Sequence, residues 1–215
     1  MTTSPEYQRL LRELHDRENS FGGGKHVLTV AQVMKTLNVQ SVSDYGAGKM
    51  RLEEALRKEF GLQFSYFPYD PAFPEYGSPM PADLVCCIEV LEHVELEMID
   101  AVLKQLAEIT MKWGFFTIHC SNSSKSLADG RNAHILQRPT PWWLARLSNY
   151  FDIQWLNKTG PDSFAVIATR LGNSEFRIRG LQLYSRDSIK QHVTSFAGAL
   201  ALEVSRRVRR GKWRP

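Results

Sequence analysis

The 215-residue sequence predicts an open α/β sheet, mostly parallel, with helices on both faces and an antiparallel strand at one edge. Three observations carry this. Apolar runs of strand composition alternate with segments whose apolar residues recur at helical spacing, a glycine-rich turn joins the first strand to its helix, and two strands follow one another directly near the end of the core.

Ser4 and Pro5 open a first helix with the stripe Tyr7, Leu10, Leu11 and Leu14, which ends before Phe21-Gly22-Gly23-Gly24-Lys25. Three consecutive glycines mark a loop in which Lys25 or the backbone can approach an anionic ligand group, or else a plain linker. Val27, Val30, Val33, Met34 and Leu37 define a second helix, and Ser41 to Asp44 the first strand. Leu52, Ala55, Leu56 and Phe60 mark the next helix, and Leu62 to Tyr69 the second strand. Only twelve residues separate Asp70 from Asp83, and Pro71, Pro74, Pro79 and Pro81 are among them, which leaves no room for a helix and a third strand. Ala82 to Cys87 has the composition of a buried parallel strand. A helix with Met98, Ile99, Val102, Leu103, Leu106 and Ile109 follows, then a strand from Trp113 to Cys120. Beyond a polar loop, Trp143, Leu144, Leu147 and Phe151 suggest a further helix, and strands Asp152–Asn157 and Ser163–Arg170 close the body. The expected organisation is 1–38 for the N-terminal helices and glycine loop, 39–171 for the core and 172–215 for an extension, with one possible short strand at Phe176–Gly180 and a basic amphipathic helix.

Composition excludes several classes. With 43% hydrophobic and 23% charged residues the chain is an ordinary globular protein, and no apolar run is long enough to span a bilayer. No secretory leader is evident, and Cys86, Cys87 and Cys120 lie in apolar runs without metal or disulfide spacing, so a cytoplasmic protein with reduced thiols is expected. Arg206, Arg207, Arg209, Arg210, Lys212 and Arg214 more than supply the net charge of +4, leaving a slightly acidic body. That tail can touch nucleic acid or an anionic membrane surface, or stay solvated.

Two features suggest a nucleoside. The turn Asp44-Tyr45-Gly46-Ala47-Gly48-Lys49 lets the backbone approach a ligand closely, although it matches neither the dinucleotide fingerprint nor a phosphate-binding lysine loop. Asp70, about twenty residues later at the end of the second strand, is placed to hydrogen-bond both ribose hydroxyls. After the buried strand, Ile88-Glu89-Val90-Leu91-Glu92-His93-Val94 delivers two carboxylates and an imidazole where ligands of open α/β sheets bind. Glu89, Glu92 and His93 can converge if a helix starts there, forming an oxygen and nitrogen site suited to Mg²⁺ or Mn²⁺, with Zn²⁺ also compatible. Alternatively, Glu92 serves a helix amino end, and His93 is a structural histidine or a metal-free base. Arg131 and the Trp142-Trp143 pair can clamp an aromatic acceptor, or divide between core and surface lid.

On Asp44-Tyr45-Gly46-Ala47-Gly48, Asp70 and the stretch Leu84 to Val94, the chain resembles the class I S-adenosylmethionine-dependent methyltransferases over roughly residues 40–170. The resemblance implies a Rossmann-like methyltransferase fold without its third strand. It also implies that Asp44, Gly46 and Gly48 lie under the methionine part of S-adenosylmethionine, that Asp70 holds the ribose, and that Pro71 and Ala72 lie nearest the adenine. The spacing Glu89-x-x-Glu92-His93 is similar to that of metal-dependent small-RNA 2′-O-methyltransferases and ubiquinone-pathway O-methyltransferases. In the RNA enzymes a later histidine completes the metal site, and His134 is its nearest counterpart. The implied function is methylation of a hydroxyl on an RNA ribose or a small molecule, with Glu92, His93 and His134 catalytic. A non-catalytic nucleoside-binding or nucleic-acid-binding module on the same fold is the alternative.

Overall fold

A computed structural model describes residues 3–17, 26–173 and 175–178. The expected glycine loop with Lys25, most of the C-terminal extension and its basic helix lie outside the described residues. Helices α1 (Pro5–Arg17) and α2 (Val27–Thr36) precede the alternating core: β1 (Ser41–Tyr45), α3 (Arg51–Phe60), β2 (Ser65–Tyr69), β3 (Ala82–Ile88), α4 (Ile99–Ile109) and β4 (Thr110–His119). Helix α5 (Thr140–Leu147) and strands β5 (Phe151–Gly160) and β6 (Ser163–Arg170) complete it.

The six strands form one sheet in the order β2-β1-β3-β4-β6-β5. The first four are parallel, β6 runs antiparallel to β4, and β5 pairs antiparallel with β6. Between β2 and β3 there is only a short 3₁₀ turn, Pro74–Tyr76, so the sheet ends at β2 and the third strand is absent, as the prolines require. All seven residues of β3 are buried, consistent with a parallel strand covered on both faces. On one face α4 and α5 bury Leu103, Leu106, Trp143 and Leu147 against Val85, Cys87, Phe116 and Ile118. Phe115, pointing the opposite way from Phe116, meets His26 at the start of α2, with ring centroids 6.2 Å apart.

Several boundaries differ from the sequence pattern, β4 among them, which begins at Thr110 rather than Trp113. β2 begins at Ser65 rather than Leu62, because Gly61 ends α3 in a left-handed conformation (φ 62°) and the chain crosses to the sheet over the next residues. Phe151 opens β5 instead of extending α5, and is buried there against Phe116 at 4.9 Å. Residues 175–178 carry no strand, although Phe176 packs edge-on against Trp113 at 5.6 Å.

The topology fixes where a ligand can sit. From β1 the chain moves outward to β2, then returns across β1 to β3, so its direction reverses between β1 and β3. A crevice opens at the carboxyl ends of strands at such a switch point. Asp44–Gly48 and Ile88–His93 are the segments that leave β1 and β3 there. They touch at Gly46 and Val90: a Cβ built on Gly46 would lie 2.3 Å from Val90 Cγ2, and Gly46 also has φ +85°. Gly46→Ala therefore meets both a steric and a backbone penalty. Denaturant titration should show a loss of about 1–3 kcal/mol or more, and Val90→Ala should recover part of it by removing the clash.

Candidate functional site

The β1 side of the crevice is built from main-chain hydrogen bonds. The Gly46 and Ala47 N–H groups donate to the Tyr69 carbonyl at 2.7 and 3.0 Å, tying the glycine turn to the end of β2. Asp70 follows immediately. Its carboxylate accepts the Gly48 N–H at 2.9 Å and the Ala72 N–H at 2.8 Å, joining the turn to the proline-rich loop. The Tyr76 hydroxyl donates to the Gly48 carbonyl at 2.9 Å, so one loop holds both sides of Gly48. Gly46, Gly48 and Met50 all have positive φ (85°, 51° and 53°), the sharp backbone path expected where a chain wraps around a ligand.

Asp44 lies beneath this turn, only 4% exposed, and accepts a 2.5 Å hydrogen bond from the Tyr66 hydroxyl of β2. Burial raises its pKa to about 7, against the lowering effect of the Tyr66 bond. Burial also raises the pKa of Asp70, with His15 and the two backbone N–H donors opposing it.

The β3 side holds the acids and imidazoles. Glu89 has φ 54°, a left-handed conformation held by donation of its N–H to both the carbonyl and the hydroxyl of Thr117, each at 3.0 Å. One carboxylate oxygen lies 3.8 Å from His26 Nε2. The expected helix start is instead a 3₁₀ turn, Leu91–His93, and α4 begins only at Ile99. Glu92 is fully buried there, and its Oε1 accepts the His119 N–H at 3.0 Å. Its carbonyl accepts the Leu136 N–H at 3.0 Å, so Glu92 ties its own turn to the end of β4 and to the loop before α5.

His93 Nδ1 stands 2.7 Å from the Ala133 carbonyl, and His134 Nδ1 stands 2.7 Å from the Ser121 carbonyl. A carbonyl can only accept, so each Nδ1 carries the proton and each neutral ring keeps its lone pair on Nε2. Burial, and secondarily His134, lowers the pKa of His93 to about 4; burial also lowers that of His134. The two rings meet edge-on at 4.9 Å, and His119 lies 5.1 Å from His134.

The structure thus brings His93, His134 and His119 together; Glu89 lies near His26 and acts electrostatically on His93 and His134, and Glu92 holds the His119 N–H at the end of β4. Among the described residues, no group of three or more His, Cys, Asp or Glu side chains stands in an arrangement that could hold a metal ion. The proposed aromatic clamp divides: Trp143 is a core residue, while Trp142 sits at the surface between the guanidinium groups of Arg146 (4.4 Å) and Arg138 (5.7 Å). Arg131 pairs with Asp129 at 2.6 Å. Cys86 and Cys87 are buried free thiols with raised pKa values, and Cys120 is a half-buried one. No described helix is long and apolar enough to cross a membrane.

Sequence reasoning missed two contributors. His26 was hidden because its partner Glu89 is distant in sequence. Gln8, Arg12 and His15 form a polar stripe at helical spacing on α1, flanking the apolar one, but the stripe does not reveal what it faces.

By sequence, no known protein family and no curated protein matches this chain. Solved structures do. The 1,6-didemethyltoxoflavin-N1-methyltransferase of Burkholderia thailandensis, with bound 1,6-didemethyltoxoflavin and S-adenosylhomocysteine, superposes with a TM-score of 0.55 at 16% identity, over 78% of this chain and 90% of that one. A DhpI–S-adenosylhomocysteine complex gives 0.52 at 12% identity, over 78% and 98%. Magnesium protoporphyrin IX methyltransferase from Synechocystis PCC 6803, with bound S-adenosylhomocysteine, gives 0.50 at 16% identity, over 68% and 82%. The chain has the Rossmann-like fold of the class I methyltransferases with the third strand missing; the reversed strand expected at the edge is β6, one place in, and the edge strand β5 runs parallel to the rest.

Substitutions at two positions probe the site's electrostatics. The folded Asp44 carboxyl holds its proton up to about pH 7, against an ordinary value of 3.8, so the fold loses stability as pH rises through that window. Asp44→Asn should therefore raise the melting temperature at pH 8 relative to the parent, with the advantage shrinking toward pH 4. Glu92→Ala leaves the half-buried His119 N–H without its acceptor and should cost about 0.5–1.5 kcal/mol in chemical denaturation, whereas Glu92→Gln, which keeps an acceptor oxygen, should cost less.

Proposed function

We propose that this protein is an S-adenosylmethionine-dependent methyltransferase that methylates a hydroxyl group. The observation that carries this reading is the pairing at the switch point. On one side, a glycine turn is held by the Asp70 carboxylate through Gly48 N–H; on the other, the segments after β3 and β4 carry a cluster of imidazoles, of which His93 and His134 have lowered pKa values. The fold's relatives with bound S-adenosylhomocysteine support the choice of cofactor.

In this reading Asp44, Gly46 and Gly48 bind the methionine part of the cofactor, Asp70 takes the ribose hydroxyls, and Pro71 and Ala72 border the adenine. Lys25 is assigned to an anionic group of the cofactor. The acceptor hydroxyl lies toward His93 and His134. Methyl transfer breaks the sulfonium carbon–sulfur bond and forms a carbon–oxygen bond, leaving S-adenosylhomocysteine, while the hydroxyl proton must leave to a base. A histidine Nε2 lone pair is the local acceptor for it. Burial makes His93 a weak base, so orientation of the hydroxyl by an imidazole is the larger part of its work.

A second reading adds Mg²⁺ or Mn²⁺ on Glu89, Glu92, His93 and His134. The observation favouring it is that both imidazoles are neutral, with Nδ1 anchored on a carbonyl, the state in which histidine serves a metal. Bound there, the ion would stabilise the acceptor oxyanion. The two glutamates would have to turn from their present partners to complete the set. Chelation separates the readings: loss of turnover with excess chelator, restored by Mg²⁺, supports the ion, and undiminished turnover removes it. The acceptor is an RNA ribose or a small molecule, and a steep fall of acceptor binding with salt marks the former.

Ligand-dependent melting tests the main proposal. At about a hundredfold excess over Kd a bound ligand adds about 2.7 kcal/mol. For a chain of this size that corresponds to a rise of about 5–10 °C. S-adenosylmethionine or S-adenosylhomocysteine should produce such a rise and NAD should not. Absence of stabilisation by both methionine-derived ligands contradicts the proposal; stabilisation without turnover on any hydroxyl acceptor points to a non-catalytic binding module.

A further inference from the structure

Helix α1 is seated by its apolar stripe: Tyr7, Leu10 and Leu14 pack with Leu127 and Ala133, in the loop that leads to His134. Its polar stripe faces the loop after β2. The Gln8 side-chain amide donates to the Pro71 carbonyl, and Arg12 donates to the Ala72 carbonyl at 2.8 Å. The Arg12 guanidinium also covers the Phe73 ring at 4.6 Å, and the His15 ring meets the same phenyl edge-on at 5.2 Å. Phe73 in turn stacks on Tyr76, with centroids 5.3 Å apart and planes at 11°. Tyr76 ends the relay by donating its hydroxyl to the Gly48 carbonyl.

This loop has an unusual need for such support. It lacks the strand that would pin it to the sheet edge, its only regular turn is Pro74–Tyr76, and its prolines cannot donate backbone hydrogen bonds. Yet it carries both groups that grip Gly48, the Asp70 carboxylate and the Tyr76 hydroxyl. His15 and Asp70 also act on each other electrostatically. Burial lowers the pKa of His15 and Asp70 raises it, while Lys49, Asp16 and Arg12 add smaller effects.

We propose that Arg12 and His15 are positioning residues of the cofactor site: by clamping Phe73 they set the Phe73–Tyr76 stack, and through it the conformation of Gly48 and Asp70 that receives the nucleoside. This rests on reading the switch point as an S-adenosylmethionine site. α1 then replaces the missing strand as the support of the nucleoside loop. Its side chains act through Phe73 and Tyr76 rather than on the reacting atoms.

Calorimetric titration of the full chain with S-adenosylhomocysteine and with 5′-methylthioadenosine, which keeps the nucleoside and lacks the amino acid, tests this. Arg12→Ala and His15→Gln should each raise Kd for both ligands about tenfold with little change in melting temperature. Arg9→Ala, on the exposed side of α1, should leave both unchanged. Combining Arg12→Ala with Tyr76→Phe should weaken binding by less than the product of the single effects, because both act through Gly48. If Arg12→Ala does not fold, His15→Gln, Tyr76→Phe and their combination carry the same comparison. Binding within about twofold of the parent, or effects that simply multiply, overturns the inference. If the parent chain binds neither ligand, the methyltransferase reading fails first and the positioning role falls with it.

Discussion

The site depends on one buried carboxylate. Asp70, 6% exposed, draws the Gly48 N–H from the glycine turn and the Ala72 N–H from the proline loop onto a single side chain. Without it, the two segments would be joined only through the Tyr69 carbonyl and the Tyr76 hydroxyl. A buried carboxylate is costly unless its oxygens are hydrogen-bonded, and two backbone donors supply such bonds. Asp70 thereby shapes the glycine turn at the carboxyl end of β2.

The same logic repeats across the crevice. Asp44 is buried beneath the turn against Tyr66, and Glu92 is buried beneath the imidazole cluster against the His119 N–H. Three acids at the carboxyl ends of β1, β2 and β3 therefore bind protein donors at the rim where ligands enter. Glu89, held in a left-handed conformation by Thr117, adds local backbone strain at the same rim. Buried acids and backbone strain concentrated in this way usually mark functional ground rather than the bulk of a fold.

Much of this was legible in the residues. The run Ala82–Cys87 could be read as a buried strand because every position is apolar or small apart from its first acid, and the prolines between Asp70 and Asp83 announced the missing strand. Helix boundaries were less legible: Phe151 has the spacing of α5 but joins β5, since tertiary packing against Phe116 outweighs a one-residue extension of helical periodicity. In the site, the positions of Asp44, Gly46, Gly48 and Asp70 followed from chain order along the strands. The directions of Glu89 and Glu92 did not, because they depend on a 3₁₀ turn and on His26 and His119, partners that spacing within one segment cannot identify. α1 was legible as an amphipathic helix but not as a support, since the loop it grips lies about sixty residues away.

The central claim is that the Gly48–Asp70 junction receives a nucleoside. Amide NMR during titration with S-adenosylhomocysteine addresses it most directly, because the two N–H groups bound to Asp70 report on that carboxylate. The account predicts that the Gly48 and Ala72 amides are among the most strongly shifted, and that Asp70→Asn abolishes the saturable response. Binding that leaves both amides unmoved, or that survives Asp70→Asn undiminished, would contradict it.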